Sequence, residues 1–393
     1  MRVAIVVQRY GRDVNGGAEQ LARRVARLLV DEVELTVLTT CALDYRTWAN
    51  HFQPGEVIEE GVRVIRFSVA RQRDPEAFDA LSARAYAAPG DLELGRRWMD
   101  SQGPDAPGLL AHLESEGAGY DAVAFVTYLY RTTVDGMARV PGRALLVPTL
   151  HDEPPARLVI FDAVFAEARA LVFSTEEERE LAGSRFAVDD GRAHVAGWGL
   201  DPPPATDPSR MAAAGAPRPY ALCVGRVDLS KGVGELVAHH ARYRRGRPDG
   251  LDLVLVGGGD APLPDHPWLR RLGFVDDGVK HDAIAGAAVV VVPSPYESLS
   301  LAQLEAWSHG RATLANAASP VLVGQSRRSG GGLWYRDADE YAVMLDLLER
   351  SAPLARAIGR QGARWVGETC RWDHVRRVWM DALAQASAPA VAR

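Results

Sequence analysis

Two glutamates that follow an all-valine run are the residues of this chain with the clearest chemical use. The run 289–292 predicts a fully buried strand, after which Glu297 lies on a loop and Glu305 falls just over one turn into a helix. A helix that begins near Ser300 offers unpaired N–H groups and a partial positive charge, which suit a phosphate. Glu305 would then be within reach of two ribose hydroxyls, and Glu297 would face a sugar. In the alternative interpretation, Ser300 is only a helix cap and both glutamates are solvated surface charges.

Two cations follow the first predicted strand of the second half. Arg226 and Lys231 lie in a strand-to-helix segment bounded by Gly225 and Gly232. Without a metal, the charge on a departing diphosphate must be stabilised by fixed cations and dipoles, and this pair suits that task. Lys231 and Lys280 are the only lysines among 45 cationic residues, which slightly favours a specific role for each. The alternative is an ordinary turn with surface charges.

Two segments of the first half also follow predicted strands. Gly16 and Gly17 lie between the first strand and a helix, where glycine allows the backbone to approach a ligand closely. They do not form a G-x-G-x-x-G fingerprint. His151 follows strand 144–148, and a histidine at the end of a parallel strand points toward the ligand-binding edge. A lone histidine is also commonly structural, and both interpretations stay open.

Several other patterns do not predict a site. The three glycines 257–259 lead to Asp260 and prolines rather than to a helix, so they are not a dinucleotide fingerprint. The segment 337–339 has the D-x-D form of some metal sites, but its place before an amphipathic helix favours helix capping. The three cysteines are far apart, without metal-ligand spacing or a disulfide framework, and they are Cys41, Cys223 and Cys370. We therefore expect no metal site.

Short apolar runs alternate with helical patterns through both halves, which predicts βα units and parallel sheets. Strands are expected at 2–7, 34–39, 63–67, 122–127, 144–148, 170–173, 220–224, 251–256, 272–275, 289–292 and 312–315. Helices are expected in the second half at 232–244, 279–286, 301–309, 338–349, 353–366 and 372–385. The polar stretch 70–118 predicts helices without a clear strand, and such an excursion is where substrate-selecting loops tend to be built.

Length and composition restrict the class of protein. With 393 residues the chain fits two domains better than one core, and residues 199–219, rich in aspartate and proline at their start, predict a linker. The resulting domains are 1–198 and 220–371. A net charge of −6 gives no reason to expect nucleic acid as a partner. No apolar run is long enough to span a membrane and the N-terminal run is too short for a signal peptide, so a cytoplasmic location is expected.

Together these segments resemble glycosyltransferase family 4, the large retaining family with the GT-B fold. The Glu297-x7-Glu305 pair, preceded by Gly225-Arg226 and Lys231-Gly232, carries most of the resemblance. The resemblance covers nearly the whole chain, is strongest over 220–335 and is weakest over 70–118. It implies two Rossmann-like doubly wound domains that face each other across a cleft, with the final segment 372–393 packed back onto the N-terminal domain.

The resemblance also implies roles for individual residues. Arg226 and Lys231 would bind the donor diphosphate, Glu305 the ribose hydroxyls and Glu297 the donor sugar. The remaining contacts implied are the backbone amides of Leu299, Ser300 and Leu301 at the distal phosphate, Phe274 and Val275 beside the base, Gly16 and Gly17 near the diphosphate and His151 beside the transferred sugar. The sequence departs from the family at 298–301, where many members carry glycine-rich or phenylalanine-containing sequence.

The activity implied is retaining transfer of a hexose-type sugar from a UDP- or GDP-sugar to a hydroxyl acceptor, in glycan or cell-envelope polysaccharide synthesis, with neither cofactor nor metal. Front-face displacement needs no enzyme nucleophile, which suits the absence of a convincing one. Two rival interpretations stay open: a non-catalytic scaffold that binds nucleotide sugars, and a nucleotide-sugar epimerase. Peripheral membrane contact also stays open, because Arg23, Arg24 and Arg27 share a helix with an apolar stripe, although a core-facing helix is the more ordinary interpretation.

Overall fold

The computed structural model describes residues 1–207, 210–211, 215–216 and 219–388. The chain divides into two compact units. Unit 1 comprises Met1–Gly197 together with the chain from Trp372 onward, and unit 2 comprises Trp198–Arg371. The predicted linker 199–219 falls within the range of unit 2, and part of it lies outside the described residues.

Unit 1 is built on an eight-stranded sheet, in the order β3-β4-β2-β1-β5-β6-β7-β8. Its strands are β1 (Arg2–Val6), β2 (Glu34–Thr40), β3 (Gly55–Glu59), β4 (Val62–Phe67), β5 (Ala122–Val126), β6 (Ala144–Val147), β7 (Ala170–Phe173) and β8 (Ala193–Val195). All neighbours are parallel except the β3–β4 hairpin at one edge. The inner strands are buried along almost their whole length, as expected for a parallel sheet covered on both faces.

The helices of unit 1 are α1 (Gly17–Leu29), α2 (Pro75–Ala87), α3 (Leu92–Gln102), α4 (Pro107–Glu116), α5 (Arg131–Met137), α6 (Asp162–Glu167) and α7 (Glu176–Phe186). The helix Trp372–Ser387, the last among the described residues, also belongs to this unit and contacts β5, β6, β7 and β8. It buries Trp379 and Leu383. The apolar face of α1 is buried as well, and Arg23 and Arg27 on its outer side pair with Glu60. This is the arrangement expected if the apolar stripe of the helix faces the core.

Unit 2 is built on a six-stranded parallel sheet, in the order β11-β10-β9-β12-β13-β14. Its strands are β9 (Tyr220–Val224), β10 (Asp252–Val256), β11 (Leu269–Arg271), β12 (Val289–Val292), β13 (Thr313–Asn316) and β14 (Gly332–Tyr335). Successive residues of these strands pack into two different hydrophobic clusters. Leu253 and Val289 join one cluster, and Val254 and Val290 join another. Because side chains alternate between the two faces of a strand, both faces of this sheet are covered.

The helices described in unit 2 are α8 (Val233–Gly246), α9 (Asp277–Gly286), α10 (Leu301–Ser308), α11 (Pro320–Ser329), α12 (Ala338–Arg350) and α13 (Ala352–Thr369), and α14 (Trp372–Ser387) belongs to unit 1. Asp337 caps α12 by accepting from the N–H groups of Asp339 and Glu340, at 2.9 Å each. This confirms the capping interpretation of the D-x-D segment. No helix in the described part of the chain is both long and apolar enough to cross a membrane.

The structure corrects the strand predictions at the sheet edges. The predicted strand 272–275 is wrong, because β11 covers Leu269–Arg271 and the following residues form a loop. Three strands were not predicted, namely β3, β8 and β14. Each ends a sheet, and β3 is exposed along most of its length, so it lacks the apolar pattern from which a strand is read. The stretch 70–118 contains the helices α2, α3 and α4 and no strand, as predicted.

Candidate functional site

The carboxyl ends of β9, β10 and β11 carry three loops that are joined through their backbones. Gly225 N donates to Val256 O at 2.9 Å, Val227 N donates to Gly258 O at 2.9 Å, and Gly257 N donates to Gly273 O at 2.8 Å. The contacts leave no space for side chains. A Cβ at Gly257 would lie 1.8 Å from Gly225 O, and a Cβ at Gly259 would lie 2.2 Å from Val227 O. The three glycines, which are not a dinucleotide fingerprint, thus hold the loop that carries Arg226 and Lys231.

The loop between β9 and α8 reaches the loop after β12 at Gly232. This residue has a φ of 74°, and a Cβ there would lie 2.4 Å from Pro293 O. Asn316 Nδ2 also donates to Pro293 O, at 2.9 Å, from the end of β13. A side chain at 232 would push the two loops apart, so the glycine allows the close approach that the site needs.

Lys231 and Glu297 meet at this approach, although 66 residues separate them in the chain. Lys231 Nζ lies 2.9 Å from Glu297 Oε1. The two side chains are 32% and 14% exposed. The interpretation of Glu297 as a solvated surface charge is therefore wrong, because a carboxylate covered to this extent needs the cation beside it.

Asp228 organises both predicted phosphate-binding cations. Its Oδ1 accepts from Lys231 N at 3.0 Å, and its Oδ2 lies 3.3 Å from Arg226 Nη1. The Arg226 side chain is 49% exposed. One carboxylate thus fixes the backbone at Lys231 and holds the guanidinium of Arg226 on the same loop. Sequence analysis did not single out Asp228. Its position just before the turn that carries Lys231 is typical of a capping residue and could have indicated this role.

The N-terminus of α10 has the predicted cap. Ser300 is buried and its hydroxyl accepts from Gln303 N at 3.4 Å. Gln303 is also buried and donates to Ser326 Oγ at 2.7 Å and to Leu322 O at 3.3 Å, which ties α10 to α11. The start of α10, with Leu299 and Leu301 on either side of the cap, is therefore held rigidly at the carboxyl end of β12.

Glu305 pairs with the second lysine of the chain. Lys280 Nζ, from the first turn of α9, lies 2.8 Å from Glu305 Oε1 and 3.3 Å from Asp277 Oδ1. Burial opposes the charge of Lys280, but Glu305 and Asp277 outweigh it and raise the pKa of the amine. The Glu305 side chain is 16% exposed, so the surface interpretation of this glutamate is wrong as well. Sequence analysis missed Lys280 as a site residue, although the scarcity of lysine pointed to it.

A pair of histidines lies beside this ion pair. His281 Nδ1 and His309 Nε2 are 2.8 Å apart and join α9 to the residue after α10. Burial and the neighbouring His281 lower the pKa of His309 to about 4, and burial and Lys280 lower that of His281. Both rings are therefore neutral near pH 7, and one donates to the other.

Phe274 and Val275 follow β11 and differ in exposure. Phe274 is 75% exposed, whereas Val275 is half-buried and packs on the core cluster that contains Val254 and Val290. An exposed ring beside the glycine turn is a surface on which a flat base can stack. The predicted contact with a base stays a prediction, and the structure places the ring where such stacking is open.

The two glycines of unit 1 have different surroundings. Gly16 has a φ of 153°, and a Cβ there would lie 2.0 Å from Glu19 Oε2. Glu19 is buried, with its Oε1 accepting from Arg9 Nε and from Gln8 Nε2, at 2.9 Å each. A Cβ at Gly17 would meet no described atom within 4 Å. Gly16 is therefore required by the packing of the loop itself, and only Gly17 leaves space for a ligand.

His151 lies in a network at the ends of β5 and β6. Its Nδ1 is 3.1 Å from Glu153 Oε1, which also accepts from the hydroxyl of Tyr128 at 3.0 Å. The side chain is 28% exposed. Two residues that precede it in this region, Thr127 and Thr149, have φ values of 66° and 50°, and their hydroxyls are 2.8 Å apart. Left-handed backbone at β-branched residues is strained, and such strain often occurs at functional sites.

Glu178 fixes the backbone of the segment that leads to His151. Its carboxylate accepts from Leu150 N and Ser174 N, at 2.7 Å each, at the ends of β6 and β7. It is fully buried, and burial raises its pKa to about 7 despite these two donors. Glu178 thus fixes the backbone at Leu150, the residue before His151. In the sequence, nothing distinguished Glu178 from its neighbours Glu176 and Glu177.

A family model of known proteins matches part of the chain. Residues 218–349 match the family model "Glycosyl transferases group 1". That range contains the unit 2 residues of the site described above, from Gly225 to Ser326. The narrower assignment to family 4 stays a prediction.

The chain is also similar to a named glycosyltransferase along part of its length. It is 30% identical over 283 residues to the D-inositol 3-phosphate glycosyltransferase of Xylanimonas cellulosilytica. The match covers 65% of this chain and 66% of that protein, so it spans just under two thirds of the relative.

Solved structures of similar fold cover nearly the whole chain. The sucrose-phosphate synthase of Thermosynechococcus elongatus has a TM-score of 0.71 at 18% identity, over 98% of both chains. The HepE protein of Anabaena, in complex with UDP-glucose, has a TM-score of 0.71 at 15% identity, over 98% of this chain and 99% of that one. The predicted GT-B fold, with two α/β units, is confirmed.

Proposed function

We propose that this protein is a retaining glycosyltransferase that moves a hexose-type sugar from a UDP- or GDP-sugar to a hydroxyl acceptor. The observation that carries the proposal is the pairing of both glutamates of the E-x7-E segment with the two lysines of the chain, beside the start of α10. Anion-binding and hydroxyl-binding groups lie together there at the carboxyl edge of a parallel sheet, where ligands of such sheets bind.

The donor would be held in three parts. Arg226 and Lys231 would bind the diphosphate, together with the N–H groups at the start of α10. Glu305 would accept from the ribose hydroxyls, and the exposed ring of Phe274 would stack on the base. Because Lys231 is only partly buried, its amine can turn from Glu297 to a phosphate oxygen, which releases Glu297 for a hydroxyl of the donor sugar.

The chemistry would be carried by electrostatics rather than by an enzyme nucleophile. Negative charge grows on the diphosphate as its bond to the sugar breaks, and the fixed cations stabilise it. In front-face displacement the departing diphosphate helps to deprotonate the acceptor hydroxyl, so the new bond forms on the face from which the old one leaves. Loss of one such cation costs about 3 to 4 kcal/mol of transition-state stabilisation.

The relatives favour a nucleotide-sugar donor and leave the acceptor to be identified. HepE is named in complex with UDP-glucose, and the Xylanimonas relative is named for transfer to D-inositol 3-phosphate. We infer a UDP-sugar as the first donor to try. Glycan or cell-envelope synthesis is the process we propose for this chain.

The test is a panel of UDP- and GDP-sugars with the full chain. Binding is measured by calorimetry and release of the nucleoside diphosphate by a coupled assay, for wild type, Lys231→Ala and Glu305→Ala. Arg242→Ala is the matched control, because Arg242 is an exposed residue of α8 that pairs with the exposed Asp339 of α12. We expect selective binding and slow hydrolysis in wild type and in the control, with both properties reduced in the two site variants.

Other outcomes separate the rival functions. If no donor binds, or if binding ignores both site variants, the proposed nucleotide site is wrong. Binding without release of the nucleoside diphosphate, even with a broad acceptor panel, would favour a scaffold. Conversion of the free donor to its epimer without acceptor would favour an epimerase. Retention itself is checked by the anomeric coupling constant of the product in proton NMR.

A further inference from the structure

Glu19, in the first turn of α1, is a buried carboxylate whose two oxygens have different surroundings. The residue is only 5% exposed. Its Oε1 accepts from Gln8 Nε2 and from Arg9 Nε, at 2.9 Å each, and also from Arg9 Nη2. Its Oε2 accepts no hydrogen bond within the described residues, and it is not fully buried. The protein therefore fixes one oxygen and leaves the other to a ligand that can donate.

Arg9 holds this carboxylate in one orientation. Its Nη1 donates to Leu43 O at 2.7 Å and its Nη2 donates to Asn15 O at 3.1 Å, so the guanidinium is bound to the loops after β2 and β1 as well as to Glu19. A planar guanidinium offers its donors in a fixed geometry. Glu19 Oε2 is consequently kept beside Gly16, where a Cβ would lie 2.0 Å from it. The free oxygen is thus preorganised at the start of α1.

Tyr130 provides a second unpaired polar group at the neighbouring strand end. It follows β5, which lies beside β1 in the sheet, and the carboxyl ends of these parallel strands meet at one edge. Its hydroxyl makes no hydrogen bond in the part of the chain that the structure describes, and it is not fully buried. Burial and then the charge of Glu19 raise the pKa of Tyr130, so the hydroxyl keeps its proton and can donate.

We propose that Glu19 and Tyr130 bind a neutral, hydroxyl-bearing part of the acceptor beside Gly17. Glu19 Oε2 accepts from one hydroxyl, and the Tyr130 hydroxyl donates to a neighbouring oxygen. A Cβ at Gly17 would meet no described atom within 4 Å, so space is available there. The inference rests on the proposed function, for which it names the chemistry of the acceptor at this point.

An ionised carboxylate selects the kind of group that it can bind. It has acceptors and no donor, so it can hold a hydroxyl but not an oxygen of a phosphate or of a second carboxylate. A partly covered oxygen without a donor is costly, and a sugar hydroxyl at this point would remove that cost. Arg9 offsets the charge of Glu19 as a whole, so the diphosphate predicted near Gly17 is excluded only from direct contact with Oε2.

The acceptor is the substrate that still lacks a hydroxyl-binding group in the proposed function. The diphosphate, the ribose and a hydroxyl of the donor sugar are assigned to the charged residues of the unit 2 site, and His151 is assigned to the transferred sugar. Glu19 and Tyr130 belong to unit 1 and have no such assignment. Their unpaired groups are therefore assigned to the acceptor.

The experiment measures binding to the full chain by saturation-transfer NMR in the presence of UDP, with glucose, glycerol and glucuronate as probes. The variants are Glu19→Gln and Tyr130→Phe. Glu76→Gln is the matched control, because Glu76 is an exposed glutamate in the first turn of α2. Affinities for UDP, GDP and UDP-glucose are measured by calorimetry on the same preparations, and the midpoint of thermal unfolding is recorded for each protein.

We expect glucose and glycerol to bind, and glucose to bind more tightly than glucuronate. Tyr130→Phe should weaken glucose binding about fivefold, since one neutral hydrogen bond is lost. Glu19→Gln should weaken it about tenfold and should reduce the preference for glucose over glucuronate, since the acceptor that is lost is charged. UDP affinity should be the same in all four proteins. Because Tyr130→Phe keeps the pair of Arg9 and Glu19, it decides the question if Glu19→Gln is unstable.

Several results would overturn the inference. They are no binding of glucose and glycerol to wild type, equal affinities for glucose and glucuronate, an unchanged ratio of these affinities in a folded Glu19→Gln, and equal weakening by Glu76→Gln. A fall in UDP-glucose affinity at unchanged UDP affinity would overturn it as well, by assigning the two residues to the donor sugar. If UDP or GDP binds and neither neutral probe does, only the acceptor inference is wrong. If neither nucleotide binds, the proposed function is wrong, independently of the probes.

Discussion

Lys231 and Glu297 form an ion pair with 2.9 Å between Nζ and Oε1, at the point where Gly232 allows two loops of unit 2 to touch. The pair joins the residue predicted to bind a diphosphate to the residue predicted to bind the sugar. Glu297 therefore competes with the donor diphosphate for Lys231, and Lys231 competes with the donor sugar for Glu297. A donor that enters must replace an existing contact, so the two groups have separable effects on binding and on turnover.

Replacement of Glu297 by alanine should lower transfer much more than it lowers nucleotide binding. The variant loses the contact with the donor sugar, which we expect to cost about a hundredfold in kcat. Lys231 loses its internal partner and becomes free to bind phosphate, so the affinity for UDP should be unchanged or higher. Titration of UDP and steady-state transfer rates test this, with Glu235→Ala on the exposed side of α8 as the control. A fall in UDP affinity that matches the fall in rate would contradict it.

Replacement of Lys280 by methionine should impair the selection of ribose. Lys280 holds Glu305 Oε1 at 2.8 Å, and a cation in the first turn of a helix is unfavourable unless such a partner compensates it. Without the amine, Glu305 loses its fixed orientation. We expect UDP to bind about tenfold more weakly to Lys280→Met, and the preference for UDP over 2′-deoxy-UDP to shrink.

A purely structural role for Lys280 would give a different result. It would weaken both nucleotides equally and leave their ratio unchanged. Lys280→Arg keeps the charge and should restore part of the ratio, while the midpoint of thermal unfolding shows whether the variants are folded.

The glycines after β10 provide a matched set of variants. An alanine Cβ would lie 1.8 Å from Gly225 O at position 257 and 2.2 Å from Val227 O at position 259, where φ is also positive. At position 258 the nearest atom to such a Cβ is Phe274 Cβ, 3.9 Å away. Gly257→Ala and Gly259→Ala should each lower the free energy of unfolding by about 1 to 3 kcal/mol, and Gly258→Ala should have little effect. Denaturant unfolding followed by fluorescence measures this, and equal effects at all three positions would contradict the backbone contacts described.

Glu178 should make the stability of unit 1 fall as pH rises. Its pKa is raised to about 7 in the folded chain, from an ordinary value of 4.5, because it is fully buried. The folded state therefore holds a proton that the unfolded state has released between these two values. Stability should fall by at most about 1.4 kcal/mol per pH unit in that interval, and not further above it.

The measurement is the denaturant midpoint at pH 5, 6 and 7. Glu178→Gln should be less stable than wild type at pH 5. The glutamine amide has only one oxygen, so one of the two backbone N–H donors would face an NH2 group and lose its acceptor. Its midpoint should fall less with pH than that of wild type. Glu180→Gln, on the exposed side of the same helix, is the control. Parallel pH profiles for wild type and Glu178→Gln would contradict the raised pKa.

Local patterns in the sequence were sufficient for most elements of the fold. The valine run 289–292 became β12, and the 3.6-residue pattern after Ser300 became α10, since both signals depend only on neighbouring residues. The strand predicted at 272–275 was wrong, and the exposed strand β3 was not predicted. Edge strands owe their form to pairing with a distant strand, which short-range hydrophobicity does not report.

The sequence by itself determined which residues had chemical use at the carboxyl ends of strands, including Arg226, Lys231, Glu297 and Glu305. Only the tertiary structure decided their partners. Lys280 meets Glu305, and Asp228 joins Arg226 to the turn of Lys231, because parallel strands bring the ends of distant segments to one edge. The three glycines after β10 had no role in the linear pattern, and their role is the absence of a side chain where two backbones touch. Contacts of this kind depend on packing across the sheet, and no local signal encodes them.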